Sequence, residues 1–234
     1  MKTIKYIGAL WVCIIIQACN NDDDTNGLRI VYEENYIETL FLEAGETIPP
    51  VVNWSGETGT FSATTLPSTA PDDLFRRNLS IDEETGVLSW DRSIPLGEIE
   101  IIITASSSSE TASTTITIKN TFVGGLFYGG FNSDISDNPD ISMIDSSNSI
   151  NFTKEGIVGL LGTSDGDIIS MSGTWTIDES FITVNFDTNN RVMIGDMNAR
   201  NGSPAATFIG QWGEGLDQNN TIENLMGAFI FEND

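Results

Sequence analysis

Past residue 28, short runs rich in Ile, Val, Thr and Phe recur between turn residues, some of them alternating apolar and polar positions with the two-residue period of a β-strand. No stretch past residue 28 sustains apolar spacing at i, i+3, i+4 and i+7. In the first half, strands are predicted at 28–32, 39–42, 59–63, 86–90, 98–105 and 111–119. Ile99, Ile101 and Ile103 alternate with Glu100, Ile102 and Thr104, and Ile116 and Ile118 alternate with Thr115 and Thr117. One face of this last hairpin is therefore expected to be core. The serine-rich segment 106–110 between them reads as an exposed loop.

From Thr121 the texture changes to aromatic strands interrupted by glycine, predicted at 122–131, 150–152, 156–161, 168–177, 181–186, 191–194, 206–212 and 224–231. Turn residues separate them: Asp165-Gly166-Asp167, Asp178-Glu179-Ser180, Asp187-Thr188-Asn189-Asn190 and Asn201-Gly202-Ser203-Pro204. About eight meandering antiparallel strands with glycines inside them point to an up-and-down barrel or a strongly curved sheet. The expected class is all-β: an immunoglobulin-like sandwich over residues 28–119, then the barrel-like domain over residues 121–234.

The N-terminus has a different pattern. Lys2 and Lys5 precede an apolar run at 7–16, shorter than the ~20 residues a membrane-spanning helix needs. Residues 1–18 thus read as a signal peptide. Ile16-Gln17-Ala18-Cys19 resembles the lipobox of bacterial lipoproteins, with a branched apolar residue, a small residue and the acceptor cysteine. The resemblance implies lipidation of Cys19 and a membrane partner through that lipid. Residues 19–27, with Asp22-Asp23-Asp24, read as an acidic tether and resemble the export signal of lipoproteins displayed on the outer surface of some Gram-negative bacteria. The expected location is the outer membrane, lipid-anchored and facing the cell exterior.

Composition narrows the chemistry. The 234 residues carry 34 acidic and 10 basic side chains, a formal charge of -24. Such a surface repels phosphate backbones, which excludes nucleic acid as a partner. There is no histidine, and the two cysteines are Cys13 and Cys19. Histidine-based triads, histidine-ligated zinc and disulfides in the exported part are therefore closed. No motif sets two carboxylates together for glycosidase-type work, so no catalysis and no cofactor are expected.

The segment Asn78-Leu79-Ser80-Ile81-Asp82-Glu83-Glu84-Thr85-Gly86-Val87-Leu88-Ser89-Trp90 resembles the immunoglobulin- and cadherin-like repeats of bacterial surface proteins. Gly97 and the Ile-rich and Thr-rich strands after it extend the match. In that family the segment forms a tight turn into a strand, with Gly86 at positive φ. The resemblance covers under half of the 234 residues. The chain departs from it at Trp90-Asp91-Arg92-Ser93 and at Ser106, so cadherin-style calcium binding is not expected. Such domains serve as spacers or adhesive modules, which implies that the first half displays the second.

The second half resembles lipocalin-type or transferrin-binding-lipoprotein barrels, through Gly173-Thr174-Trp175 and the spacing of Phe208-Ile209-Gly210 to Gly227-Ala228-Phe229. Trp175, Trp212, Phe127 and Phe131 are the candidate ligand-contacting aromatics, with core filling as the alternative for each. Trp54 and Trp90 stand between a sugar platform and sandwich core in the same way. Asp134, Asp137 and Asp140, close together in one loop, are weak candidates for calcium. The expected function is that of a noncatalytic binding module for a glycan or a surface protein. The alternatives are a carrier of a small hydrophobic ligand inside the barrel, marked by an apolar cavity, and a structural part of an envelope assembly.

Overall fold

The computed structural model describes residues 27–66, 74–136, 147–164 and 167–233. The expected leader, Cys19, most of the acidic tether, Asp137, Asp140, the Asp165-Gly166 turn and the C-terminal residue lie outside the described residues.

The first half is an immunoglobulin-like sandwich. Strands β1 (Arg29–Val31) and β4 (Val51–Asn53) pair with each other, and β3 (Gly45–Glu46), β7 (Leu88–Trp90) and β6 (Leu79–Ile81) form a second small sheet. The large sheet runs β2 (Tyr36–Leu40), β9 (Thr111–Thr121), β8 (Gly97–Ser106), β5 (Thr60–Thr65), with β2 parallel to β9 and the rest antiparallel. A single helical turn, α1 (Leu74–Arg77), precedes β6. The isoleucine alternation is realised as expected: Ile99, Ile101, Ile103, Ile116 and Ile118 are fully buried and pack against Leu79, Leu88 and Ile30.

The second half closes completely. Strands β10 (Gly125–Phe131), β11 (Asn148–Phe152), β12 (Ile157–Ser164), β13 (Asp167–Asp178), β14 (Phe181–Phe186), β15 (Arg191–Ala199), β16 (Ala206–Leu216) and β17 (Ile222–Asn233) pair in sequence order, and β17 returns to pair antiparallel with β10. Closure leaves no unpaired edge. Inward positions are mostly apolar, among them Ile150, Val158, Ile182, Val184, Phe208, Phe229 and Phe231. Outward positions such as Asn151, Thr174 and Asn185 are polar and exposed.

Several strand limits differ from expectation for local reasons. Leu42 has φ 68°, so the strand expected at 39–42 ends at Leu40; it begins at Tyr36, where pairing with β9 starts opposite Thr117. Gly86 takes φ 73° in the turn, and its strand begins only at Leu88. Gly124, at φ 131°, breaks the segment expected at 122–131 and detaches Phe122 from β10. β15 runs on to Ala199 because Gly195 and Met197 continue its inward face across from Gly210 and Phe208.

The two halves meet through both packing and hydrogen bonds. Phe122 is buried in the barrel's own core cluster, edge-on to Phe152 at 5.6 Å and Trp175 at 5.3 Å, with Leu96, Phe41 and Leu42 of the sandwich beside it. Arg92 Nη2 donates to the Gly202 carbonyl at 2.7 Å, and Asn201 Nδ2 donates to Asp91 Oδ2 at 3.0 Å. The sandwich therefore stoppers the end of the barrel at which β10 begins and β17 ends.

Candidate functional site

Core filling is unequal along the barrel axis. Toward the sandwich the interior is packed with aromatic rings in edge-on and tilted contacts: Phe127, Phe152 and Trp175 around Phe122, then Phe208 tilted on Phe229 at 4.6 Å. Toward the opposite end the described residues line a cup of about 760 Å³. That volume lies within the roughly 300–1,000 Å³ of sites that hold small organic ligands.

The cup is graded. Its depth is lined by Leu160, Met171, Phe186, Met193, Phe131 and Trp212, of which Leu160, Phe186 and Met193 are buried. Its rim is lined by Ser147, Asn148, Thr163, Thr188 and Asn189, with Ile168 as an exposed apolar lip. Asn189 and Asn190 form the β14–β15 turn with φ 58° and 52°, a backbone that asparagine tolerates. That turn ends at Arg191, whose side chain projects inward in register with Met193.

Arg191 and Trp212 form the most elaborated part of the wall. The guanidinium carbon lies 5.2 Å from the Trp212 ring centroid, a cation–π distance. Arg191 Nε lies 3.3 Å from Glu214 Oε1, and Nη1 donates to Met226 Sδ at 3.2 Å. Trp212 is fixed in turn: its indole N–H donates to the Asn132 carbonyl at 2.9 Å, and Phe131 meets it edge-on at 5.5 Å. The Asn132 side chain accepts the Ala228 N–H at 3.1 Å, next to the register shift in β16–β17 pairing that begins after Trp212.

The four candidate aromatics thus divide into two pairs. Phe131 and Trp212 line the cup. Phe127 and Trp175 are buried at the stoppered end, where the Trp175 indole donates to the Thr153 carbonyl at 2.9 Å, and they fill core instead. In the sandwich, Trp90 is buried and Trp54 is half-buried against Phe61, so neither forms an exposed platform. Of the calcium candidates, Asp134 accepts the N–H of Ser136 at 2.9 Å, while Asp137 and Asp140 lie outside the described residues. Among the described residues, no group of three or more acidic side chains is arranged to hold a metal. Arg191 is the site residue that the sequence reading missed. Its signal was the alternation Arg191-Val192-Met193-Ile194, which sets the cation on the same face as an apolar residue.

No family model matches the chain, and no curated protein matches it. Among solved structures it is similar to human protocadherin-24 EC1-2 at 8% identity, covering 74% of this chain and 89% of that one with a TM-score of 0.35. A quinonprotein alcohol dehydrogenase-like protein from Bacteroides thetaiotaomicron is 5% identical over 82% of this chain and 69% of that one, TM-score 0.27. Extracellular domains 3–5 of Drosophila OTK are 12% identical over 87% and 88%, TM-score 0.26. Likeness at these TM-scores carries no functional argument, and the fold rests on strand pairing alone.

Proposed function

We propose that this chain is a noncatalytic, lipid-anchored surface module whose C-terminal barrel binds a small, largely apolar ligand in its cup. The observation that carries the reading is the unequal filling of one barrel. Aromatic rings pack the stoppered end, whereas about 760 Å³ with a buried apolar floor remains at the other. The apolar floor of such a cup gains stability when a ligand covers it. The acidic surface suits a solvated exterior, and the sandwich holds the cup away from the membrane on the tether side. Native mass spectrometry of the chain from residue 20 onward, after incubation with a bacterial lipid extract, is expected to show one retained adduct per chain. A bare chain under the same conditions would contradict the reading. Replacing Cys19 with Ser is expected to abolish metabolic labelling by a fatty-acid analogue, and unchanged labelling would overturn the anchor.

A second reading keeps a glycan or protein partner. It is favoured by a shallow groove on the outer wall, between Tyr128 at 57% exposure and Leu161 at 55%, with Ser149 between them in register. Tyr128→Ala would weaken that partner while leaving cup binding unchanged.

A further inference from the structure

The cup's chemistry narrows the ligand further, on the footing of the proposed cup binding. We infer that its ligand is a single-chain amphiphile ending in a carboxylate, inserted tail first, with Arg191 engaging the head. Among the described residues, Arg191 is the only ionisable side chain lining the cup, in a chain whose formal charge is -24. The Arg191 side chain is 27% exposed and is paired on one edge with Glu214, and arginine keeps its proton throughout the working pH range, so a permanent cation faces whatever enters the cup.

The contacts Arg191 makes hold it in place without using its full capacity. Glu214 engages Nε, the Trp212 face supports the guanidinium plane, and Nη1 meets only the Met226 sulfur, a weak acceptor. Nη2 has no acceptor among the described residues. The Nη edge is therefore left for a carboxylate, which matches the guanidinium fork. The gradient of the lining fixes the orientation. An apolar chain gains by burial against Leu160, Met171 and Met193, while a charged head cannot follow it there and stays at the polar rim with Arg191. The surrounding negative charge repels small free anions, so the site selects an anion that brings its own apolar body.

The test compares pyrene-labelled dodecanoic acid with the corresponding pyrene-labelled dodecanol at neutral pH. The acid is expected to bind about tenfold or more tightly than the alcohol, the size of one charge-assisted contact. Arg191→Gln is expected to bring the two probes to equal affinity. Arg191→Lys, which keeps the charge without the fork, retains part of the preference and guards against a folding artefact. Glu214→Gln, which removes the internal competitor, strengthens the acid a few-fold and leaves the alcohol unmoved. Equal binding of acid and alcohol to the unaltered chain would overturn the inference while leaving cup binding intact. A preference that survives Arg191→Gln, or an acid affinity unmoved by Glu214→Gln, would also overturn it. Binding of neither probe would overturn the cup reading itself.

Discussion

Two tryptophans of the same barrel show how position converts one chemistry into two roles. Trp175 is buried among Phe122 and Phe152, and Trp212 stands half-buried on the cup wall. Trp175→Ala is expected to cost about 3–5 kcal/mol by chemical unfolding, as for other buried aromatic truncations. Trp212→Ala should cost less stability and act mainly on ligand affinity; equal stability losses with unaltered binding would refute the division. Aromatic content drew attention to both residues in the sequence, but a strand pattern gives only the face, not the depth along the barrel axis. Arg191 escaped attention because a cation beginning a strand reads as a solvated end. In the sandwich, Tyr32 is buried and donates its hydroxyl proton to the Gly86 carbonyl, and burial pushes its pKa up to about 12. The phenol is therefore favoured in the fold over the phenolate. Its contribution is complete below the ordinary tyrosine value of about 10 and is lost as pH rises from there to about 12. Urea unfolding across that window should show a steeper decline for the unaltered chain than for Tyr32→Phe. The decline is reduced, not abolished, because Tyr36, hydrogen-bonded to Glu98, is shifted in the same direction. Equal slopes would show that Tyr32 is not the group responsible.

At the level of strands and turns, the sequence was informative wherever side chains alternate. The β8–β9 hairpin and the strand at Phe181–Phe186 stand where the pattern puts them, and Glu179, at φ 54°, turns the chain between β13 and β14. The short strands β3, β4 and β6 are not separated as strands in the sequence. Their pairing comes from long-range partners, Gly45 and Leu79 both meeting Trp90. Glycine position carried a real but ambiguous signal. Gly129 faces inward, and a Cβ there would run into the backbone of Ile230 and Phe231 on the neighbouring strand. Gly159, on the outer face of β12, would meet nothing within 4 Å. Gly129→Ala is expected to destabilise the barrel by about 1–3 kcal/mol, as overpacking does. Gly159→Ala should change stability by no more than about 0.5 kcal/mol, or raise it slightly by restricting the unfolded chain. Thermal melts of the two variants distinguish a glycine required by strand approach from one that is not.

At the level of the whole molecule, the sandwich and the barrel are joined by more than a linker. The residues that depart from the cadherin-like pattern, Asp91 and Arg92, are those that reach Asn201 and Gly202 of the barrel, and Phe122 completes the barrel's base. A family pattern describes an isolated repeat, so the departure was visible in the sequence while its reason lay in a partner about 110 residues away. Barrel closure was also beyond the sequence, which left a curved open sheet as an alternative; the pairing of Gly129 with Phe231 and of Phe131 with Phe229 decides it. Closure, stopper and unequal filling together make a one-ended cup, and the cup is the central claim. It is tested most directly by titrating the neutral fluorophore Nile red into the chain from residue 20 onward, alongside two variants of matched circular dichroism. Ile169→Trp with Met171→Trp fills the cup from one wall, whereas Leu161→Trp makes a similar change on the outer face. Saturable binding to the unaltered chain and to Leu161→Trp, weakened about tenfold or more by the paired inner substitutions, is the expected result. Binding that is absent, or that the inner substitutions leave unaltered, would contradict it.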